Sequence, residues 1–257
     1  MIIKNFKLFK ESLLTKLEGP TEEEIWDNLN HLSPDMLLDK SIKIDFLKGI
    51  KYAIDNGATL EKDDIITAIS NRSYNTIKYL LSTDINFEID KKIINFYGLQ
   101  LIEEERLDII KLLEKYIKEI LKHDDYLLTH SLALNKIDIF KYFLSLEAAY
   151  IHISNDFLLR KYGENLDYNR TKLLLELGAN VNIFGGYLLD KAAINLSVKM
   201  VQLFMDYGIK FKDYDELIKV LNERLKFYKY NNRKEQVELS KKIIEMLDGY
   251  NKKLQSI

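Results

Sequence analysis

Along the chain, apolar positions recur in columns with a cationic position set between them. One column reads Ile50, Ile77, Ile110, Phe140, Thr171 and Val201; two residues on lie Tyr52, Tyr79, Leu112, Tyr142, Leu173 and Leu203; one further lie Ala53, Leu80, Leu113, Phe143, Leu174 and Phe204. Between the first two columns sit Lys51, Lys78, Lys111, Lys141, Lys172 and Gln202. The steps between successive members are 27, 33, 30, 31 and 30 residues. A seam recurring at helical spacing while lysines face water is what stacked amphipathic helices require. The pattern predicts helical repeats with all three apolar columns in the core, Tyr52, Tyr79 and Tyr142 included. It also predicts that the lysine column keeps its ammonium groups in water.

The segments between these helices follow their own grammar. Gly57, Gly178 and Gly208 end helices, where a left-handed residue closes the last turn at little steric cost. The same slot holds Asp84, Ile117 and Glu147 elsewhere; Ile tolerates that conformation poorly, so the third repeat is expected to continue as one longer helix through Ile117, Ile120 and Leu121. Before the repeats, Thr21 and Glu24 are spaced for a capping box on a helix whose buried face is Ile25, Trp26 and Leu29. Ser33-Pro34-Asp35 opens a second helix. After Asp215 the spacing changes: residues 215–230 and 233–254 read as two longer helices separated by Asn231-Asn232. These helices suit the polar outer cover that a repeat stack needs at its end.

Composition narrows this picture. In 257 residues there are only 2 Pro and 10 Gly, which argues for helix with short connections, and 47% hydrophobic residues suffice for a core. The net charge of −2 exerts no global pull towards nucleic acid or anionic lipid. With no cysteine, the chain has no disulfide framework, thiolate chemistry or Cys-type zinc site, which fits a reducing compartment. Lys4, Lys7 and Lys10 interrupt the leader, so it lacks the apolar centre of a signal peptide, and no apolar run is long enough for a membrane helix. A cytoplasmic protein without membrane contact is expected.

The stretch LLLELGANVNIFGGYLLDKAAINLSVKMVQLFMDYG, residues 173–208, resembles the ankyrin repeat. LLLELGANVN is similar to that family's second helix with its glycine cap and following loop, and LLDKAAINLSVKMVQLFMDYG to its first helix, tight turn and second helix. The similarity spans residues 34–215, without the family's Thr-Pro-Leu-His and with shorter inter-repeat loops. The rival helical hairpin, the tetratricopeptide, has no place for Gly-Ala-Asn-Val-Asn after its second helix, and its Trp-Leu-Gly-Tyr pattern is absent. Degenerate arrays of this kind occur in phages and large DNA viruses, and the leader FKLFKESLLTKLEGPTEEEI is similar to leaders of uncharacterised phage proteins. The resemblance implies an all-α solenoid: a helical N-terminal cap over 1–33, about six repeats over 34–214, and a helical C-terminal cap over 215–257. It further implies a non-catalytic scaffold that recognises a protein, a host factor bound and inhibited if the gene is viral.

Candidate chemistry is sparse. His31, His123, His130 and His152 fall at unrelated repeat positions, without a set of partners at metal-ligand spacing. Gly185-Gly186 lacks the Lys-Ser/Thr of a phosphate loop and reads as a compact turn. Asp124-Asp125 and Asp213/Asp215 read as helix caps. Nothing spaced as nucleophile, base and orienter is present, so no cofactor, metal or catalysis is expected. In the ankyrin architecture the loops and first-helix starts line the inner surface. There Phe87, Tyr150, His152, Phe184, Tyr187, Phe211 and Tyr214 would form an aromatic strip for a partner protein. The alternative is binding of nucleic acid or a nucleotide signal through a basic surface. It is disfavoured because the C-terminal lysines and arginines interleave with Glu223, Glu235, Glu238, Glu245 and Asp248.

Overall fold

A computed structural model describes residues 20–83, 89–146 and 151–256. Among the described residues the chain forms sixteen α-helices, one 3-10 turn and no strand. They are α1 (Glu22–Leu29), α2 (Pro34–Lys43), α3 (Leu47–Asp55), α4 (Asp64–Ser70), α5 (Tyr74–Leu81), α6 (Lys91–Glu103), α7 (Leu107–Leu112) and α8 (Glu114–Leu121). There follow α9 (Tyr126–Ala133), α10 (Ile137–Ser145), α11 (Ile153–Glu164), α12 (Tyr168–Glu176), α13 (Tyr187–Ile194), α14 (Val198–Asp206), α15 (Tyr214–Tyr230) and α16 (Lys234–Gln255). The chain divides into two compact units, residues 1–127 and 128–257.

One turn builds every hairpin. The residue two past the end of the first helix is left-handed: Asp45, Arg72, Glu105, Asn135, Leu166, Leu196 and Asn232, with φ between 54° and 60°. In each turn this residue's N–H and the next one close back on the helix; thus Asp45 N–H bonds Ile42 O at 3.4 Å and Phe46 N–H bonds Ser41 O at 2.9 Å. That pair of bonds satisfies two of the carbonyls a helix end leaves open. The turn residues repeat at the steps of the sequence columns. Asn232, joining α15 to α16, shows that the C-terminal pair uses the same turn despite its longer helices. Gly57, Gly178 and Gly208 adopt φ of 103°, 94° and 74° and end the second helices as expected.

Within each unit, first helices pack on first helices and second on second. In unit 1, α2 meets α4 and α4 meets α6, while α3 meets α5 and α5 meets α7; in unit 2, α11, α13 and α15 form one row and α12, α14 and α16 the other. The column Ala53, Leu80, Leu113, Phe143, Leu174 and Phe204 is at most 1% exposed, and Lys51, Lys78, Lys111, Lys141 and Lys172 are exposed, as the pattern predicts. Leu158-Leu159 and Leu188-Leu189 bury the matching face of the first helices.

Two expectations need correction. The middle column is not core: Tyr52 is 45% and Leu112 40% exposed, Tyr79, Tyr142 and Leu173 are half-buried, and only Leu203 is buried. At 100° per residue, that position lies on the flank of the stripe defined by its neighbours in the other two columns. Tyr52 instead stands edge-on to Trp26, with ring centres 4.8 Å apart. The third repeat's helix is also not continuous. It breaks at Leu113 (φ −87°, ψ 12°), and α8 turns its buried Ile117, Ile120 and Leu121 towards α6.

Polar side chains tie successive hairpins together. The Asp45 carboxylate accepts bonds from the backbone N–H groups of Asn75 (3.2 Å) and Thr76 (2.7 Å) and from the side chains of both residues, at 2.9 and 2.8 Å. It thereby caps the start of α5 from the preceding turn. Asp45→Ala is expected to lower the urea-unfolding free energy by about 1–2 kcal/mol, while Asp45→Asn keeps part of the effect.

Candidate functional site

In unit 2 the loops that follow the second helices are joined in a ladder. Asp156, 4% exposed and at φ 51°, accepts from Asn180 N–H at 3.0 Å and meets His152 Nδ1 at 2.8 Å. Asn182 reaches one loop further: its Oδ1 accepts from Lys210 N–H at 2.6 Å, and its Nδ2 donates to Gly208 O at 3.4 Å. The 3-10 turn Ile183–Gly186 lies against the same loop and ends in Gly185 and Gly186 at φ 65° and 93°, the compact turn expected there.

The strip residues expected from sequence take different places. Phe87 and Tyr150 lie outside the described residues, and for Phe184 only the backbone, within the 3-10 turn, is described. His152 is held by the buried Asp156 carboxylate, so the loop ladder accounts for it. Phe211 and Tyr214 pack rather than project. Phe211 stands edge-on to Tyr214 and Tyr250, at 5.1 and 5.8 Å between ring centres, and Tyr250 Oη donates to Ile209 O at 2.9 Å. Tyr214 Oη donates to the Asp248 carboxylate on α16, and that bond, with burial second, pushes its pKa up to about 12. This cluster seats α16 on the preceding loop. Tyr187 starts the first helix α13 and is half-buried.

The hairpin turn reveals a column that the sequence reading missed. Nine residues before the seven left-handed turn residues stand Met36, Asp63, Phe96, Tyr126, Phe157, Tyr187 and Glu223. In unit 1, Met36 is 53%, Phe96 57% and Tyr126 51% exposed; in unit 2, Phe157 is 37% exposed. Exposed large apolar groups at one register position are not explained by packing, since the two positions that follow each of them carry the core leucines in α2, α9, α11 and α13. The signal was available. It needed alignment on the first-helix turns rather than on the second-helix columns.

The charge around this column differs between the units. Residues 1–127 hold 18 Lys/Arg against 24 Asp/Glu, net −6; residues 128–257 hold 20 against 16, net +4. In α11 the Arg160 guanidinium and Lys161 ammonium lie 5.9 and 6.0 Å from the centre of the Phe157 ring, within cation–π range. In α13, Lys191 and Asp190 occupy the corresponding places one turn after Tyr187. Asp190 Oδ1 is buried and receives no hydrogen bond from the described residues.

Burial pushes the Asp190 pKa up to about 6, with Asp213 adding to the rise and Lys212 opposing it. The folded state therefore holds this proton to higher pH than the unfolded chain does. The resulting stability is present below about pH 4 and is lost as pH rises through 6. Because the carboxylate keeps part of its contact with water, we expect Asp190→Asn to stabilise the protein at pH 7 by about 1 kcal/mol, and to be neutral near pH 4. Urea melts at the two pH values check this; an equal effect at both would show that Asp190 ionises normally.

Among the described residues no three His, Asp or Glu side chains cluster at metal-binding distance, and no helix is long and apolar enough to cross a membrane. A cleft of about 240 Å³ between α6 and α8 is floored by Ile89, Ile94 and Ile120, with the Lys91–Glu119 pair (3.4 Å) at its rim. It is apolar rather than built for chemistry. No family model, curated protein or solved structure matches the chain.

Proposed function

We propose that this protein is a non-catalytic recognition scaffold: an ankyrin-like stack of about six hairpins, closed by helical ends, that binds another protein. The supporting observation is the register column itself. Seven hairpins with one turn geometry share this first-helix position, and five of the seven carry Met, Phe or Tyr there, exposed except for the half-buried Tyr187. Repetition of a rigid unit makes the core insensitive to what those positions hold, so they are free to serve a partner. Aromatic anchors supply contact area at low entropy cost. If the gene is viral, the partner is a host factor.

The test is affinity capture from cells of the natural host, with the retained protein identified by mass spectrometry. Wild-type bait should enrich one protein that the Phe96→Ala or Tyr187→Ala bait loses, with unchanged thermal melts. Recovery of nuclease-sensitive nucleic acid, or of a protein indifferent to every column residue, would overturn the reading. Nucleic acid is the second reading, and the net charge of +4 in residues 128–257 is what favours it.

A further inference from the structure

In unit 2 at least one cation stands one turn after the column position on each of the three first helices. One turn after Phe157 come Arg160 and Lys161, and one turn after Tyr187 come Asp190 and Lys191; in α15 the column position is Glu223, and Lys226 and Phe227 follow at those two places. Residues three and four apart share a helix face, so each aromatic has its cation beside it. In unit 1, Asp39-Lys40 after Met36 matches Asp190-Lys191, whereas Ile66-Thr67 and Leu99-Gln100 bring no cation. Phe227 is 54% and Tyr230 89% exposed, and the Arg233 guanidinium lies 5.6 Å from the Phe227 ring centre.

Resting on the scaffold reading, we propose that the first-helix face of unit 2, across α11, α13 and α15, takes an acidic, extended peptide segment of a partner protein. Its carboxylates pair with Arg160, Lys161, Lys191 and Lys226, and its apolar side chains lie on Phe157 and Tyr187. Charge complementarity selects the sign of the segment. Spacing selects its shape. Packed helices stand about 8–10 Å apart, and an extended chain advances about 3.3 Å per residue, so every third residue meets the next helix with two residues between them for carboxylates. A nucleic-acid strand needs cations along an unbroken backbone path. Here Glu164, Asp190 and Glu223 interrupt the face, which a peptide with discrete charges can pass and a continuous polyanion cannot.

The probe is a fluorescein-labelled synthetic peptide of five Glu-Asp-Leu units, compared by anisotropy with five Lys-Arg-Leu units and with an oligo-dT of equal length. The full chain should bind the acidic peptide about tenfold or more tighter than the basic one, and less tightly as salt is raised. Phe157→Ala with Tyr187→Ala should weaken this binding about tenfold or more. Lys161→Glu with Lys191→Glu should abolish it and confer binding of the Lys-Arg-Leu peptide, a gain that misfolding cannot mimic. The proposal is overturned by no binding of the acidic peptide, by equal binding of both peptides, or by indifference to these variants. It also falls if oligo-dT binds more tightly and is lost in the same variants, which would give the face to nucleic acid. A host protein captured through Phe96 and retained by the unit 2 variants would sink this proposal alone and leave the scaffold reading standing.

Discussion

Gly186→Ala is expected to destabilise the protein by more than about 3 kcal/mol, beyond the range of an ordinary glycine cap. A Cβ at this position would stand 1.9 Å from Lys210 O, 3.1 Å from Lys210 C and 3.2 Å from Lys212 N. All three are backbone atoms, so no rotamer change relieves the overlap. The loop that would have to retreat is held by Asn182, through Lys210 N–H at 2.6 Å and Gly208 O at 3.4 Å. The left-handed backbone at φ 93° adds about 1 kcal/mol of its own for a residue with a Cβ. Gly185→Ala is the control: its φ is 65°, and a Cβ there meets nothing within 4 Å, so about 1 kcal/mol is expected. Urea unfolding of the two variants should separate them by at least about 2 kcal/mol. Equal losses would mean that the approach of the two loops is not part of the folded state.

Phe204→Ala should cost about 3–5 kcal/mol, and Leu174→Ala about 2–5 kcal/mol. Both side chains are fully buried at one repeat position of consecutive second helices, α12 and α14. Truncation removes the transfer free energy and leaves a cavity that the two flanking helix rows cannot close without shifting whole hairpins. The adjacent exposed cation is the contrast: Lys172→Ala should change stability by less than about 0.5 kcal/mol, since its pair with Glu176, at 3.6 Å, is at the surface. The comparison is made in chemical denaturation with constant m-value. A large loss at Lys172 together with a small one at Leu174 would reverse the register on which the hairpin assignment rests.

The variants that remove a recognition group should look different from these. Phe96→Ala, Phe157→Ala and Tyr187→Ala each take away an exposed or half-buried ring, so stability should change little while partner binding falls. Phe211→Ala should act as a stability variant, because its ring packs on Tyr214 and Tyr250 and so helps seat α16. The distinction matters because both groups are aromatic residues near loops or helix starts, and composition alone cannot separate them.

Local signals determined much of this protein. The spacing of apolar residues around a lysine column was enough to give all-helical hairpins and to bury Leu80, Leu113, Phe143, Leu174 and Phe204, because helical periodicity and burial are short-range, additive preferences. The Thr21–Glu24 capping box, with Thr21 N–H to Glu24 Oε2 at 2.8 Å, and the positive φ of Gly57, Gly178 and Gly208 follow from backbone chemistry within a few residues. Tertiary structure decided the rest. Whether Tyr52 faces the core or Trp26 depends on the flank of a stripe, which only the neighbouring helix closes. The seven left-handed turns were hidden because none carries glycine; Leu166 and Leu196 are held at φ 57° by paired helix-end bonds that outweigh their local preference. His152, Phe211 and Tyr214 read as surface groups until Asp156, Asp248 and Tyr250, distant in sequence or across a helix turn, were brought against them. The column of Met36, Phe96, Tyr126 and Phe157, exposed, and Tyr187, half-buried, emerged only once those turns set a common origin, since a register is defined by three-dimensional equivalence and not by residue type.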